Sequence, residues 1–231
     1  GVAALVGAIV IGKRLGWPTT PMPPHNLVFT MMGAALLWAG WYGFNVGSAL
    51  AANTTAGLVL MTTTIATCGG IVGWMMVEKI MTKHVTSLGL ASGVIAGLVG
   101  ITPAAAYVGP FGAIAVGLIT SICCFFAVTG LKRKFGFDDA LDVFSLHGIG
   151  GMVGCILTGI FCIPALGGNQ DVNLFKQFIA QIASIGLTVV YCGVLTWVIM
   201  KVIDKTIGLR ATSEQEQQGL DVSEHNERAY N

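Results

Sequence analysis

Residues 111–131 read FGAIAVGLITSICCFFAVTGL, 21 residues without a charge or a proline, and Lys132-Arg133-Lys134 follows at once. As a helix, such a run covers the roughly 30 Å hydrocarbon core of a bilayer. The cationic cluster behind it marks the cytoplasmic side. The same arrangement recurs outward in both directions. Further cationic patches fall at Lys13-Arg14, at Lys79 and Lys83, and from Lys201 through Lys205 to Arg210. Between successive patches there is room for two spans and a weakly charged turn. The sequence predicts six full spans, with cores over 27–46, 56–77, 88–107, 111–131, 140–165 and 178–202. Outer turns are expected near 48–55, 102–110 and 167–176.

Composition agrees with an all-α polytopic membrane protein. Of 231 residues, 54% are hydrophobic and 10% charged, and mean hydropathy is +0.77. A soluble domain carries about 25% charged residues, and this chain lacks the polar surface to cover a single water-soluble core. The net charge of +1 says nothing about nucleic acid, but no basic stripe and no zinc-finger spacing appears, which sets nucleic acid aside as a partner. Cys68, Cys123, Cys124, Cys155, Cys162 and Cys192 all lie in apolar runs and read as small buried hydrophobes, not as a disulfide framework or a metal site. Glycines spaced by four recur at Gly43/Gly47, Gly69/Gly73, Gly89/Gly93/Gly97 and Gly150/Gly154. In lipid this spacing lets helix backbones approach closely.

The expected organisation has four parts. Residues 1–12 are apolar but cover only about 18 Å as a helix, so they read as the end of a truncated transmembrane helix. Residues 13–26, with Pro18, Pro21, Pro23 and Pro24, form a cytoplasmic loop that cannot be helical throughout. Residues 27–203 hold the six spans. Residues 204–231 make a cytoplasmic tail, polar from Arg210 onward, whose simplest form is solvated and partly disordered.

His147 is the most informative single residue, because an ionisable group inside an apolar span is costly and marks a functional site by default. A neutral imidazole bonded to a backbone carbonyl is the structural alternative. Trp41-Tyr42-Gly43-Phe44-Asn45-Val46-Gly47-Ser48 reads either as an interfacial aromatic belt or as a vestibule. In the second case aromatic faces and the Ser48 hydroxyl hold a small cation. Ser92 has a structural reading as a hydroxyl bonded back within its helix, and Thr102, before Pro103, as a turn residue. Asp142 lies five residues before His147, toward the inner surface, where a structural hydrogen bond is expected.

Together these motifs resemble the Amt/Mep ammonium transporters. The resemblance rests on Gly40-Trp41-Tyr42-Gly43-Phe44-Asn45 with Gly47-Ser48, and on Gly93-Val94-Ile95-Ala96-Gly97-Leu98-Val99-Gly100-Ile101-Thr102-Pro103. It continues through Asp138-Asp139-Ala140-Leu141-Asp142-Val143-Phe144 into His147-Gly148, and ends on Gly219-Leu220-Asp221 with His225, Glu227, Ala229 and Tyr230. It implies the second half of an eleven-span fold, from the end of the fifth span onward, and a homotrimer with one pore per subunit. It also implies that the first half of the same transporter is missing here, with the partner of His147 a few residues before Gly1.

The implied function is ammonium or ammonia transport through a hydrophobic channel, serving nitrogen uptake across the plasma membrane. No enzyme activity, cofactor or metal is implied. Phe44 becomes one of two stacked gate phenylalanines, Ser48 part of the outer ammonium site, and His147 one of the paired pore histidines, with Trp41 along the same substrate pathway. Ser92 and Thr102 become pore-lining or supporting positions. The tail residues Gly219, Leu220, Asp221, His225, Glu227 and Tyr230 become a regulatory segment where a PII-type protein docks. An ammonium sensor signalling through its tail, and a Rh-type ammonia channel, are the alternatives.

Overall fold

The computed structural model describes residues 1–228, and among these there is no strand. The chain runs through α1 (Val2–Ile11), α2 (Leu27–Gly47), α3 (Thr54–Thr82) and α4 (Ser87–Ile101). It continues with α5 (Pro110–Phe135) and α6 (Phe144–Phe161). The long α7 (Leu174–Thr206) and two short tail helices, α8 (Ser213–Gln218) and α9 (Leu220–His225), follow.

Local sequence sets the helix starts. Asn26, Asn53 and Asn173 each accept a hydrogen bond from the backbone N–H three residues on, at 3.0 Å, and Thr86 does the same for Gly89 at 2.9 Å. Each bond satisfies one of the donors a helix start leaves unpaired. Pro110 opens α5, where its missing N–H removes nothing. At the other ends, Lys83 and Gly136 close their helices in the left-handed conformation.

Five of these helices, α2, α3, α5, α6 and α7, are long and apolar enough to cross a bilayer. α4 is different. The expected span 88–107 stops as a helix at Ile101, after 15 residues, and continues as turns. Eleven of the 15 are buried. Irregular backbone at membrane depth is tolerated where protein rather than lipid surrounds it. Here Thr62 of α3 donates its hydroxyl to the Ala105 carbonyl at 2.7 Å within that turn. The expected span 140–165 also shortens, because residues 140–142 form a turn ending in Asp142 at φ +56°.

α3 wedges between α4 and α5, and glycine makes this possible. A Cβ on Gly69 or Gly73 would lie 2.7 and 2.8 Å from the carbonyls of Ile114 and Leu118 in α5. One on Gly97 of α4 would lie 2.6 Å from the Ala66 carbonyl of α3. Gly154 of α6 meets the Gly100 backbone in the same way. The Gly43/Gly47 pair behaves otherwise, since nothing lies within 4 Å of a Cβ at either position. The cysteines need a correction too. Only Cys124 and Cys162 are buried, Cys68 is exposed, and all six are free thiols.

Three of the four cationic patches come together at one end. Arg14 forms a fork on Asp138, with Nε to Oδ2 at 2.8 Å and Nη2 to Oδ1 at 2.7 Å. Lys132 reaches Asp142 at 2.5 Å. Arg210 donates to the carbonyls of Ile11 (3.1 Å) and Lys13. The tail therefore departs from its disordered expectation. Thr212 and Gln215 close a capping box on α8, and Glu216 accepts the Leu15 N–H at 2.7 Å while holding Arg210 at 3.0 Å.

Candidate functional site

The helix carrying His147 starts under unusual control. Asp139, 5% exposed, accepts the Phe144 N–H at 2.7 Å, and the Asp142 carbonyl accepts from Leu146 at 2.8 Å. The first turn, Phe144–Ile149, is π-helical and passes into regular helix at Gly150. Such single π turns are frequent at functional sites. The widened turn carries the half-buried His147 between two buried neighbours, Leu146 and Gly148.

α2 brings Trp41 against it. The two rings stack with centroids 6.3 Å apart and 24° between planes. Phe44 meets Trp41 in an edge-on arrangement, with centroids 5.9 Å apart and 67° between planes. Trp41 Nε1 donates to Thr102 Oγ1 at 2.9 Å, at the C-terminal end of α4. Trp41, Thr102 and His147 thus come from three helices to one wall.

That wall bounds a cavity of about 420 Å³. Its opposite side is α7, which presents Ser184, Ile185, Thr188, Val189 and Cys192. This is the i, i+4, i+8 spacing of one helical face. Gly1 and Val2 of α1 close a third side. The lining side chains are apolar except for a few hydroxyls, thiols and the imidazole. Such a chamber suits a small, neutral solute that exchanges single hydrogen bonds. Among the described residues no group of three or more His, Cys, Asp or Glu is placed to hold a metal ion.

Not every expected site residue joins the chamber. Phe44 touches it only through Trp41 and is 63% exposed. Ser48 is exposed at the end of α2, its hydroxyl donating to the Phe44 carbonyl at 2.7 Å. Ser92 is bonded back to Leu88 O at 3.1 Å and does not line the cavity. Asp142 takes the structural part expected of it, paired with Lys132, and burial raises its carboxyl above the ordinary range against the pull of that lysine. In the tail, Gly219 joins α8 to α9, which Leu220 opens, and the carbonyl of Asp221 accepts the Glu227 N–H at 3.0 Å. His225 ends α9. Ala229 and Tyr230 lie outside the described residues.

Three features were not singled out in the sequence. Ser184 and Thr188 were readable as polar residues four apart in an apolar helix. The Arg14–Asp138 fork had no local signal. The Trp41–Thr102 bond joins positions 61 apart and had none either.

Fold and chamber define a polytopic α-helical membrane protein with a largely apolar cavity between its helices. The chain belongs to the Ammonium Transporter Family, whose family model matches residues 1–230. An ammonium transporter of Mycobacterium tuberculosis (strain H37Rv) is 48% identical over 240 residues, covering all of this chain and 50% of the relative. The crystal structure of Candida albicans Mep2 superposes with a TM-score of 0.83 at 33% identity, covering 93% of this chain and 50% of that one. A solved structure titled Sensor Amt Protein gives 0.88 at 28% identity, covering 96% of this chain and 56% of its own. The chain spans about half the length of the relatives it matches.

Proposed function

We propose that this chain supplies one side of a transmembrane pathway for ammonium and ammonia. The observation that carries the reading is the stack of Trp41 on His147 at the wall of an otherwise apolar chamber. Moving a small ion into low dielectric costs tens of kcal/mol in the Born limit. Passage becomes feasible if ammonium is held at the aromatic end, loses its proton and crosses as ammonia. Phe44, Trp41 and Ser48 hold the cation by cation–π attraction and a hydroxyl acceptor. The apolar walls tolerate ammonia, and His147 offers it one donor and one acceptor. Six spans, a plasma-membrane location and a cytoplasmic tail belong to this reading, as do a homotrimeric assembly and a PII-type partner at the tail.

The test is uptake of labelled methylammonium into cells, with this segment carried in a family-length protein. His147→Ala should reduce uptake by about ten-fold or more while the protein still reaches the membrane. Wild-type uptake from that variant would sink the reading.

A sensor is the second reading. It is favoured by the tail's hold on the 11–15 loop through Glu216 and Arg210 and by the likeness to Sensor Amt Protein. Ammonium binding without labelled uptake would select it.

A further inference from the structure

We propose that Thr102 is the positioning residue that fixes Trp41 and so sets which hydrogen bonds the chamber offers its solute. The inference rests on the pathway reading above for its functional consequence, but its structural core stands apart.

The hydrogen-bond accounting has one solution. Indole nitrogen only donates, so in the Trp41 Nε1 to Thr102 Oγ1 contact at 2.9 Å the hydroxyl accepts. The hydroxyl proton goes to Leu98 O at 2.8 Å, one turn back along α4. Thr102 therefore relays the helix end to the indole. Both donors, the Trp41 N–H and the Thr102 O–H, are committed to protein.

Two consequences follow. First, Trp41 is pinned at its nitrogen while its ring meets His147 at 6.3 Å and Phe44 at 5.9 Å. An indole can turn about two side-chain bonds, and an off-axis anchor at its nitrogen restricts that turn. Second, the wall presents no free indole donor. Ammonia carries one lone pair, and a free N–H facing it would hold it and slow its passage.

The test compares Thr102→Val, which keeps the shape and removes the hydroxyl, with Thr102→Ser, which keeps the hydroxyl. In the family-length protein, Thr102→Val should lower the saturating rate of methylammonium uptake by about five-fold or more, with KM unchanged or lower. Thr102→Ser should stay within about two-fold of wild type. Wild-type kinetics in Thr102→Val, or the same loss in both variants, would overturn the proposal.

A second readout does not depend on transport. The protein is labelled with 5-fluorotryptophan, and the Trp41 fluorine resonance is identified by its loss in Trp41→Phe. That resonance should move in Thr102→Val and hold in Thr102→Ser. No movement in Thr102→Val would overturn the positioning role. If wild-type protein took up no methylammonium, the function reading would fail while the fluorine shift still decided this one.

Discussion

Asp139 accepts the backbone N–H of Phe144 at 2.7 Å, three residues before the imidazole that faces the chamber. The carboxylate is 5% exposed, and the N–H it satisfies is one the helix start would leave unpaired. Loss of that acceptor strands a buried donor. Asp139→Ala should lower stability by about 1–3 kcal/mol, and Asp139→Asn by less, because its amide oxygen still accepts. Thermal unfolding in detergent measures the difference. Equal effects from the two variants would show that the charge, not the hydrogen bond, matters.

Arg14 and Asp138 define a second point of control on the same segment. The Asp138 side chain is 1% exposed and that of Arg14 is 42% exposed. Burial pushes the Asp138 carboxyl up, but the hydrogen bonds and charge of Arg14 outweigh it and leave the group below its ordinary range. A depressed carboxyl contributes stability above its unfolded value, about 3.9, and loses it as pH falls through the lower folded value. This pair should therefore hold from pH 8 to pH 5 and weaken only in stronger acid. Arg14→Gln should cost about 1–3 kcal/mol at pH 7, discounted from a fully buried pair for the exposed arginine. The measured cost should shrink toward pH 3. A cost independent of pH would contradict the ion-pair account.

The tail clamp makes a local prediction. Glu216 holds the Leu15 N–H and the Arg210 guanidinium together. The Leu15 bond, ahead of the Arg210 bond, lowers its carboxyl from the ordinary range. The clamp is thus fully charged at pH 6–8 and releases only below the usual glutamate value of about 4.3. Glu216→Ala should speed hydrogen exchange at the Leu15 amide and open residues 211–220 to protease. Unchanged exchange at Leu15 would show that the loop holds itself.

These relationships explain what could be read from the sequence and what could not. The run 111–131 with its lysine-arginine stop gave away the membrane fold, because length and charge asymmetry are local properties. His147 was legible for the same reason, as an ionisable side chain in an apolar run. The end of α4 was legible only in part, because the turn expected at 102–110 overlapped a span carried on to 107. Residues 88–107 are apolar almost throughout, so hydropathy cannot register that the backbone turns at Thr102-Pro103 inside a protein-lined space. The fork from Arg14 to Asp138 spans 124 positions. Only the folded chain brings together groups so far apart, and the partners of Trp41 and Glu216 were hidden likewise.

The helix interfaces predict where substitution fails. Gly97 sits where a Cβ would lie 2.6 Å from the Ala66 carbonyl and 2.8 Å from the Thr67 Cα. Both atoms are backbone, so the neighbour cannot rotate aside. Gly97→Val should separate α3 from α4 and destabilise by about 3 kcal/mol or more. Gly43→Val, with nothing within 4 Å of its Cβ, should be near neutral in packing. Detergent stability of the two variants, measured side by side, checks the contrast.

Discrimination between ammonium and potassium gives the sharpest test of His147. The two cations have equal charge and similar size, and cation–π attraction at Trp41 and Phe44 is mainly electrostatic. The aromatic end should therefore bind both. What separates them is that ammonium donates hydrogen bonds and gives up a proton, and potassium does neither. Past Trp41 the chamber offers the His147 imidazole and a few hydroxyls against apolar walls. On the pathway proposed above, that set serves ammonia but cannot replace a potassium hydration shell. His147→Asp places a carboxylate in the same position and supplies the missing compensation for a bare cation. In a family-length protein, His147→Asp should pass potassium current that wild type excludes, while His147→Ala loses methylammonium uptake and still excludes potassium. Parallel uptake and current measurements on the three proteins decide it. Identical uptake and identical exclusion of potassium in all three would make His147 a packed core histidine.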